Sequence, residues 1–90
     1  MNCHYNITVK GKVQGVSYRF ATLNKALKLN LAGFVKNLAN DDVYIEAEGG
    51  EENINKLIEW CYVGPPLAEV KEVLAVEAEL KGFRNFEIKR

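Results

Sequence analysis

The residues best equipped for chemistry lie in one stretch, Gly11-Lys12-Val13-Gln14-Gly15-Val16-Ser17-Tyr18-Arg19-Phe20. It contains no acidic residue, no histidine and no cysteine, and its only charges are Lys12 and Arg19. It therefore supplies no general acid. What it offers is backbone: a loop leading into a helix leaves the first N–H groups of that helix unpaired, and the helix dipole there favours negative charge. Glycines let the chain curl so that several N–H groups point inward. Arg19 adds a planar fork matched to two phosphate oxygens. The ligand this chemistry suits is a compact anion, chiefly phosphate. Lys12, at the outer start of the loop, reads as a solvated charge. On these residues alone, the stretch also reads as a plain turn with a solvent-exposed arginine.

Other reactive groups are sparse. Cys3 and Cys61 are the two cysteines and His4 the one histidine. Two cysteines are too few for a disulfide framework and too scattered for a metal site. The Cys3-His4 pair sits at the start of the chain, where ends fray and a rigid site is hard to build. Asp41-Asp42 and Glu51-Glu52 are adjacent pairs, whose side chains point apart on a strand or helix, so both read as solvated surface.

The elements that must position the loop follow from periodicity. Tyr5 to Lys10 alternates apolar and polar residues, as a half-buried strand does. Phe20, Leu23 and Leu27 fall at helical spacing with Ala26 beside them, predicting a buried stripe, with Lys25 and Lys28 outward and a stop near Asn30. Gly33 to Asn37 reads as a second strand, Asn40-Asp41-Asp42 as a tight turn, and Val43 to Ala47 as a third strand paired with the second. Gly49-Gly50 breaks it. Glu51 and Glu52 suit a helix start, and Ile54, Leu57, Ile58 and Cys61 form that helix's buried stripe. Gly64-Pro65-Pro66 ends it. Val70 to Leu80 is mostly strand, with Leu74, Val76, Ala78 and Leu80 alternating; Glu72 and Val73 break the pattern after Val70, which suggests a bulge or two short pieces. Phe86 and Ile88 form a last strand fragment. Strand, helix, strand, strand, helix, strand is the α+β, ferredoxin-like split βαβ sandwich: an antiparallel sheet with two helices on one face. In that topology the loop before Arg19, the strand end at Asn37 and the Gly64-Pro66 turn share one edge. Cys3 lies at the opposite edge from Cys61, which predicts two free thiols.

Ninety residues fit one domain, residues 1–90, with a single core. Twelve basic residues balance twelve acidic ones, so long-range attraction for nucleic acid or an anionic membrane is absent and an anion must be held locally. No apolar run approaches a membrane span and Met1 to Tyr5 lacks a signal-peptide pattern, which makes the cytoplasm the expected compartment.

Against this background, Gly11-x-Val13-Gln14-Gly15-Val16-x-Tyr18-Arg19 resembles the signature loop of the acylphosphatases. The second signature is similar too: Gly33-Phe34-Val35-Lys36-Asn37, a turn, then Val43-x-Ile45-x-Ala47-Glu48-Gly49. Gly64-Pro65-Pro66-x-Ala68-x-Val70 and the closing Phe86-Glu87-Ile88 look like the rest of the pattern, so the resemblance spans nearly the whole chain. It implies hydrolysis of the carboxyl–phosphate bond of acyl phosphates, without metal or cofactor. It places the phosphate-binding arginine on Arg19, the water-positioning asparagine on Asn37, and the cradle of backbone N–H groups on Gln14, Gly15, Val16, Ser17 and Tyr18. Read by itself, Asn37 is a strand-end residue bonded to its own turn. The spacing Val13-x5-Arg19 is also similar to the Cys-x5-Arg cradle of cysteine-dependent phosphatases, with valine where their nucleophile stands. Direct attack by water follows. Ser17 stands where many relatives have glycine or an aromatic, and Asn40-Asp41 where they have Asp-Gly, which makes a positive φ costlier there.

The expected partners are a small acyl phosphate, with inorganic phosphate or sulfate as competing anion, no nucleic acid, no membrane, and a monomeric state. An RNA-recognition module shares this strand order but shows aromatics on its central strands. Here Glu46 and Glu48 are expected to face outward beside Tyr44 and repel a phosphodiester backbone. A second rival is a phosphate- or carbamoyl-phosphate-binding regulatory domain of the same family, which would bind phosphate without turnover.

Overall fold

Apolar side chains at every second position of β1 (Asn2–Lys12) and β3 (Val43–Gly50) explain the centre of the molecule. The computed structural model describes residues 1–90, and in it Ile7 pairs with Ile45 and Val9 with Val43 across an antiparallel ladder. All four are fully buried. β2 (Ala32–Asn37) pairs antiparallel with β3, and β4 (Glu69–Ala78) with β1. α1 (Tyr18–Lys28) and α2 (Glu51–Cys61) cover one face, bringing Tyr18, Ala26, Ile54, Leu57 and Cys61 into the same core as the strands. This is the expected ferredoxin-like sandwich. Its four main strands are antiparallel, and β5 (Phe86–Ile88) adds a parallel pairing to β2, giving the order β4-β1-β3-β2-β5.

The bulge expected early in β4 is present. Lys10 faces Glu72 and Gly11 faces Val70, so Lys71 is the extra residue. Gly11 has φ +128°, and a Cβ there would run into the Glu69 carbonyl. The first glycine of the signature loop thus serves strand packing, not the curl of the loop. Asn30 ends α1 in the left-handed region as expected, with φ 55°.

Four expectations are corrected. The buried stripe of α1 is Tyr18, Thr22 and Ala26, while Phe20 and Leu27 are 61% and 55% exposed. Thr22 can enter the core because its hydroxyl donates to the Tyr18 carbonyl at 2.8 Å, and Ala26 is small enough for close approach. In β4, Val73 points inward opposite Val9, so Leu74, Val76 and Ala78 lie on the face away from the helices, where Leu74 and Val76 are exposed. Period-two alternation identifies faces but not which one is covered. Asp42 is buried and bonds Lys10 Nζ at 2.7 Å, whereas Asp41, Glu51 and Glu52 are exposed.

The fourth correction concerns the outer face. Cys3 and His4 are built into β1 opposite Gly49 and Glu48, not frayed, and both Cys3 and Cys61 are buried free thiols. His4 is fully buried. Its Nδ1 lies 2.8 Å from Glu48 Oε2, and its Nε2 lies 2.9 Å from Asn6 Oδ1 and 3.1 Å from Glu46 Oε1. Segment 79–85 folds over this cluster. Glu48 accepts from the backbone N–H groups of Lys81, Gly82 and Phe83, and the Phe83 ring stacks on His4. Glu46 and Glu48 are therefore covered and do not face solvent. Although burial alone would raise both carboxyls, hydrogen bonds from Tyr44 and Lys81 to Glu46, and from the Lys81 and Phe83 amides and His4 to Glu48, hold them below the usual carboxylate range.

Candidate active site

The loop between β1 and α1 is shaped by what pins it. Val13 and Val16 are buried, anchoring the backbone on both sides of Gly15. Gly15 takes φ +73° in open space, so its lack of a side chain serves conformation, not packing. Ser17, the residue before α1, also sits in the left-handed region with φ 65° and makes no side-chain cap. None of the Gln14, Gly15, Val16 or Ser17 N–H groups donates to a backbone carbonyl. A curled run of backbone N–H groups without protein partners is the receptor expected for a compact anion.

Three ties hold the loop against its neighbours. The Gln14 side chain donates to the carbonyls of Leu38 (2.9 Å) and Asp42 (2.8 Å), stitching the loop to the β2–β3 turn. That turn is itself closed by Leu38 N–H to Asp42 O at 2.8 Å, with Asp41 at φ 75°. The left-handed angle normally given to glycine is thus kept without it. Tyr18 donates its hydroxyl to the Cys61 carbonyl at 2.7 Å and packs against Trp60. Burial pushes the Tyr18 phenol well above its ordinary range and the Cys61 thiol up to about 12. Both are neutral structural groups, unsuited to nucleophilic attack.

The result is a cleft of about 810 Å³ at the edge where the sequence placed it. Gln14, Gly15, Ser17, Tyr18, Arg19 and Asn37 all line it. Val16 is the exception among the expected residues: its side chain belongs to the core. Arg19 forms no salt bridge within the chain. Asn37, on the helix-covered face opposite Val43, has its Oδ1 buried with no hydrogen-bond partner. It does not bond its own turn, which was the alternative from sequence. The first turn of α1 carries no acidic residue, whereas that of α2 carries Glu51 and Glu52. The positive end of α1 is left open to the cleft. No three His, Cys, Asp or Glu side chains converge in a way that would hold a metal ion.

Sequence reasoning missed four contributors. Gln14 was credited with its backbone only; a side-chain tether across 24 residues has no local signal. Phe20, assigned to the core, lines the cleft, as do Ile88 and Arg90. The last two arrive through the parallel β5–β2 pairing, which a three-residue fragment cannot announce.

Comparison with known proteins agrees with this geometry. The family model described as acylphosphatase matches residues 5–88. An acylphosphatase from Acaryochloris marina is 50% identical over 82 residues, covering 91% of this chain and 88% of that protein. The structure of an acylphosphatase from Coxiella burnetii is similar with TM-score 0.95 and 39% identity, over 98% of this chain and 93% of the other. The crystal structure of acylphosphatase from Bacillus subtilis also gives 0.95, at 36% identity over the whole of both chains.

Proposed function

Because the chain belongs to the acylphosphatase family, hydrolases of acyl phosphates, we propose that the Gln14–Tyr18 amides and Arg19 hold the phosphoryl group while Asn37 orients the attacking water. The observation that carries this reading is the coincidence, in one cleft, of unpaired amides, an unpaired guanidinium and the orphaned Asn37 Oδ1. An acceptor left buried without a donor is destabilising by about 1–3 kcal/mol, and a water seated in the cleft relieves it.

The reaction needs little more. The water oxygen forms a bond to phosphorus as the bond from phosphorus to the carboxyl oxygen breaks, and the carboxylate leaves with the electron pair. Its conjugate acid has a pKa of about 4, so it departs unprotonated and no general acid is required. A carboxamide is a poor base, so the water's proton passes to a non-bridging phosphate oxygen. Charge on the equatorial oxygens is met by Arg19 and the amides, the positioning and electrostatic work that phosphoryl transfer asks for. No metal enters the scheme.

Residues 1–90 act as one monomeric domain in the cytoplasm, with inorganic phosphate or sulfate competing for the loop. The balanced net charge supports a locally held small anion over nucleic acid. No helix is long and apolar enough to cross a membrane. The test is turnover of an aryl acyl phosphate with chelator present and inorganic phosphate as inhibitor. Competitive inhibition and undiminished turnover are expected; phosphate affinity without turnover would identify a binding domain, and a trapped phosphoenzyme would exclude direct attack by water.

A further inference from the structure

We propose that the groove between α1 and the turn following α2 is a second binding site, for a small aromatic anion: a flat ring bearing a carboxylate or a phosphate. It shares no lining residue with the cleft of the signature loop. It encloses about 390 Å³, within the size range of small-molecule sites.

Its two walls differ in kind. Ala21, Lys25 and Lys28 line one side, and their spacing of four and three residues sets them along one ridge of α1. Neither lysine takes part in an ion pair within the chain, and no carboxylate lines the groove. Two like charges one turn apart repel, and an anion set between them removes the repulsion. The negative end of the helix dipole accounts for lysines in that last turn, but not for what faces them. Across the groove stand Trp60, Pro65 and Pro66. The prolines have no N–H to offer, so this wall presents an indole and carbon, which suits the face of a ring.

The indole is held from behind. Its ring packs on that of the buried Tyr18, with centroids 5.4 Å apart, and the Tyr18 hydroxyl donates to the Cys61 carbonyl. Trp60 is half-buried, with its remaining surface toward the groove. A platform already fixed loses little freedom when a ring settles on it. Two free ammonium groups alone would take any anion; with the indole opposite them, the groove selects an aromatic one.

Trp60 is the one tryptophan of the chain, so its indole N–H gives a single NMR signal to follow. Benzoate and phenyl phosphate should each shift it saturably, with Kd about 1 mM, in the unmodified protein and equally in Arg19→Ala. Cyclohexanecarboxylate, which has the charge without the flat ring, and inorganic phosphate should bind at least about tenfold more weakly. Lys28→Ala, at an exposed position, should weaken both aromatic ligands about threefold, and Lys25→Ala combined with it about tenfold. The tighter of the two ligands tells whether the anion the site prefers is a carboxylate or a phosphate. A shift lost in Arg19→Ala would place both ligands in the cleft and overturn the proposal. So would the absence of a saturable shift, equal binding of cyclohexanecarboxylate, or indifference to the lysine substitutions. A signal that answers only to a glutamate-rich peptide would also overturn it, making the groove a docking surface for acidic protein segments. The readout requires no turnover, so its outcome is independent of the reading of the signature loop.

Discussion

Two polar clusters lie on opposite faces of the same sheet and are built on opposite terms. On the outer face, His4, Glu46 and Glu48 are buried and partnered throughout, with Glu48 alone accepting from His4 and three backbone amides. In the cleft, Arg19, the loop amides and Asn37 Oδ1 are left without partners. By residue type, the first cluster looks more chemical: an imidazole between two carboxylates. Its saturation makes it structural. The cleft differs by the hydrogen bonds it withholds, and a buried polar group left unpaired calls for something else to complete it.

The contrast predicts that substitutions separate cleanly into those that affect activity and those that affect stability. Arg19→Ala should lower kcat/KM by about a thousandfold and weaken phosphate inhibition, leaving the melting temperature unchanged; steady-state kinetics alongside a thermal melt decide it. Glu48→Ala should do the reverse. Stranding His4 and three amides is worth about 3 kcal/mol, or roughly 12–24 °C in Tm for a domain of this size, with kcat within about twofold below the transition. A large loss of kcat in folded Glu48→Ala would erase the distinction between the clusters.

Asn37→Ala should cost about a hundredfold in kcat with little change in KM, and no stability, because its Oδ1 has no partner to lose. Unchanged kcat with raised KM would reassign it to binding. The acid limb follows from Glu46 and Glu48, whose folded pKa values lie below their unfolded ones. Their contribution is complete above the unfolded value of about 4.3 and fades as the pH falls through the lower folded values. Denaturant titrations should show stability dropping below about pH 4, and more shallowly in Glu48→Gln. The smallest effect is Asp41→Gly, which removes a left-handed non-glycine residue and should stabilise by about 0.5 kcal/mol without touching activity.

Much of the fold was legible because each element carries its own period. The alternation of Ile7-Thr8-Val9, the spacing of Ile54, Leu57 and Cys61, and the Gly64-Pro65-Pro66 stop each name a structure locally. What local pattern could not resolve was orientation. Phe20 and Leu27 keep helical spacing yet face outward, because Tyr18, Thr22 and Ala26 form the narrower stripe that fits under the sheet. His4 and Glu48, 44 residues apart, give no hint of meeting. In the cleft, the reading of Arg19 and the glycine-bearing loop as an anion receptor came from their chemistry, whereas the role proposed for Asn37 came from family resemblance, its own residue type suggesting only a turn.

The three-residue strand β5 carries a consequence for solubility. It hydrogen-bonds along β2 through Gly33 and Val35, with Gly33 donating to Asn85 O at 2.8 Å and Lys89 to Val35 O at 2.9 Å. Nothing else shields that flank of the sheet. A shield this short opens more readily than the central ladder, and each opening bares Phe34 and Val35 on an unpaired strand, a template for another chain. Detachment of one small ribbon would thus both dismantle a wall of the cleft and start fibril growth, so an anion or substrate that keeps the ribbon seated should also delay aggregation.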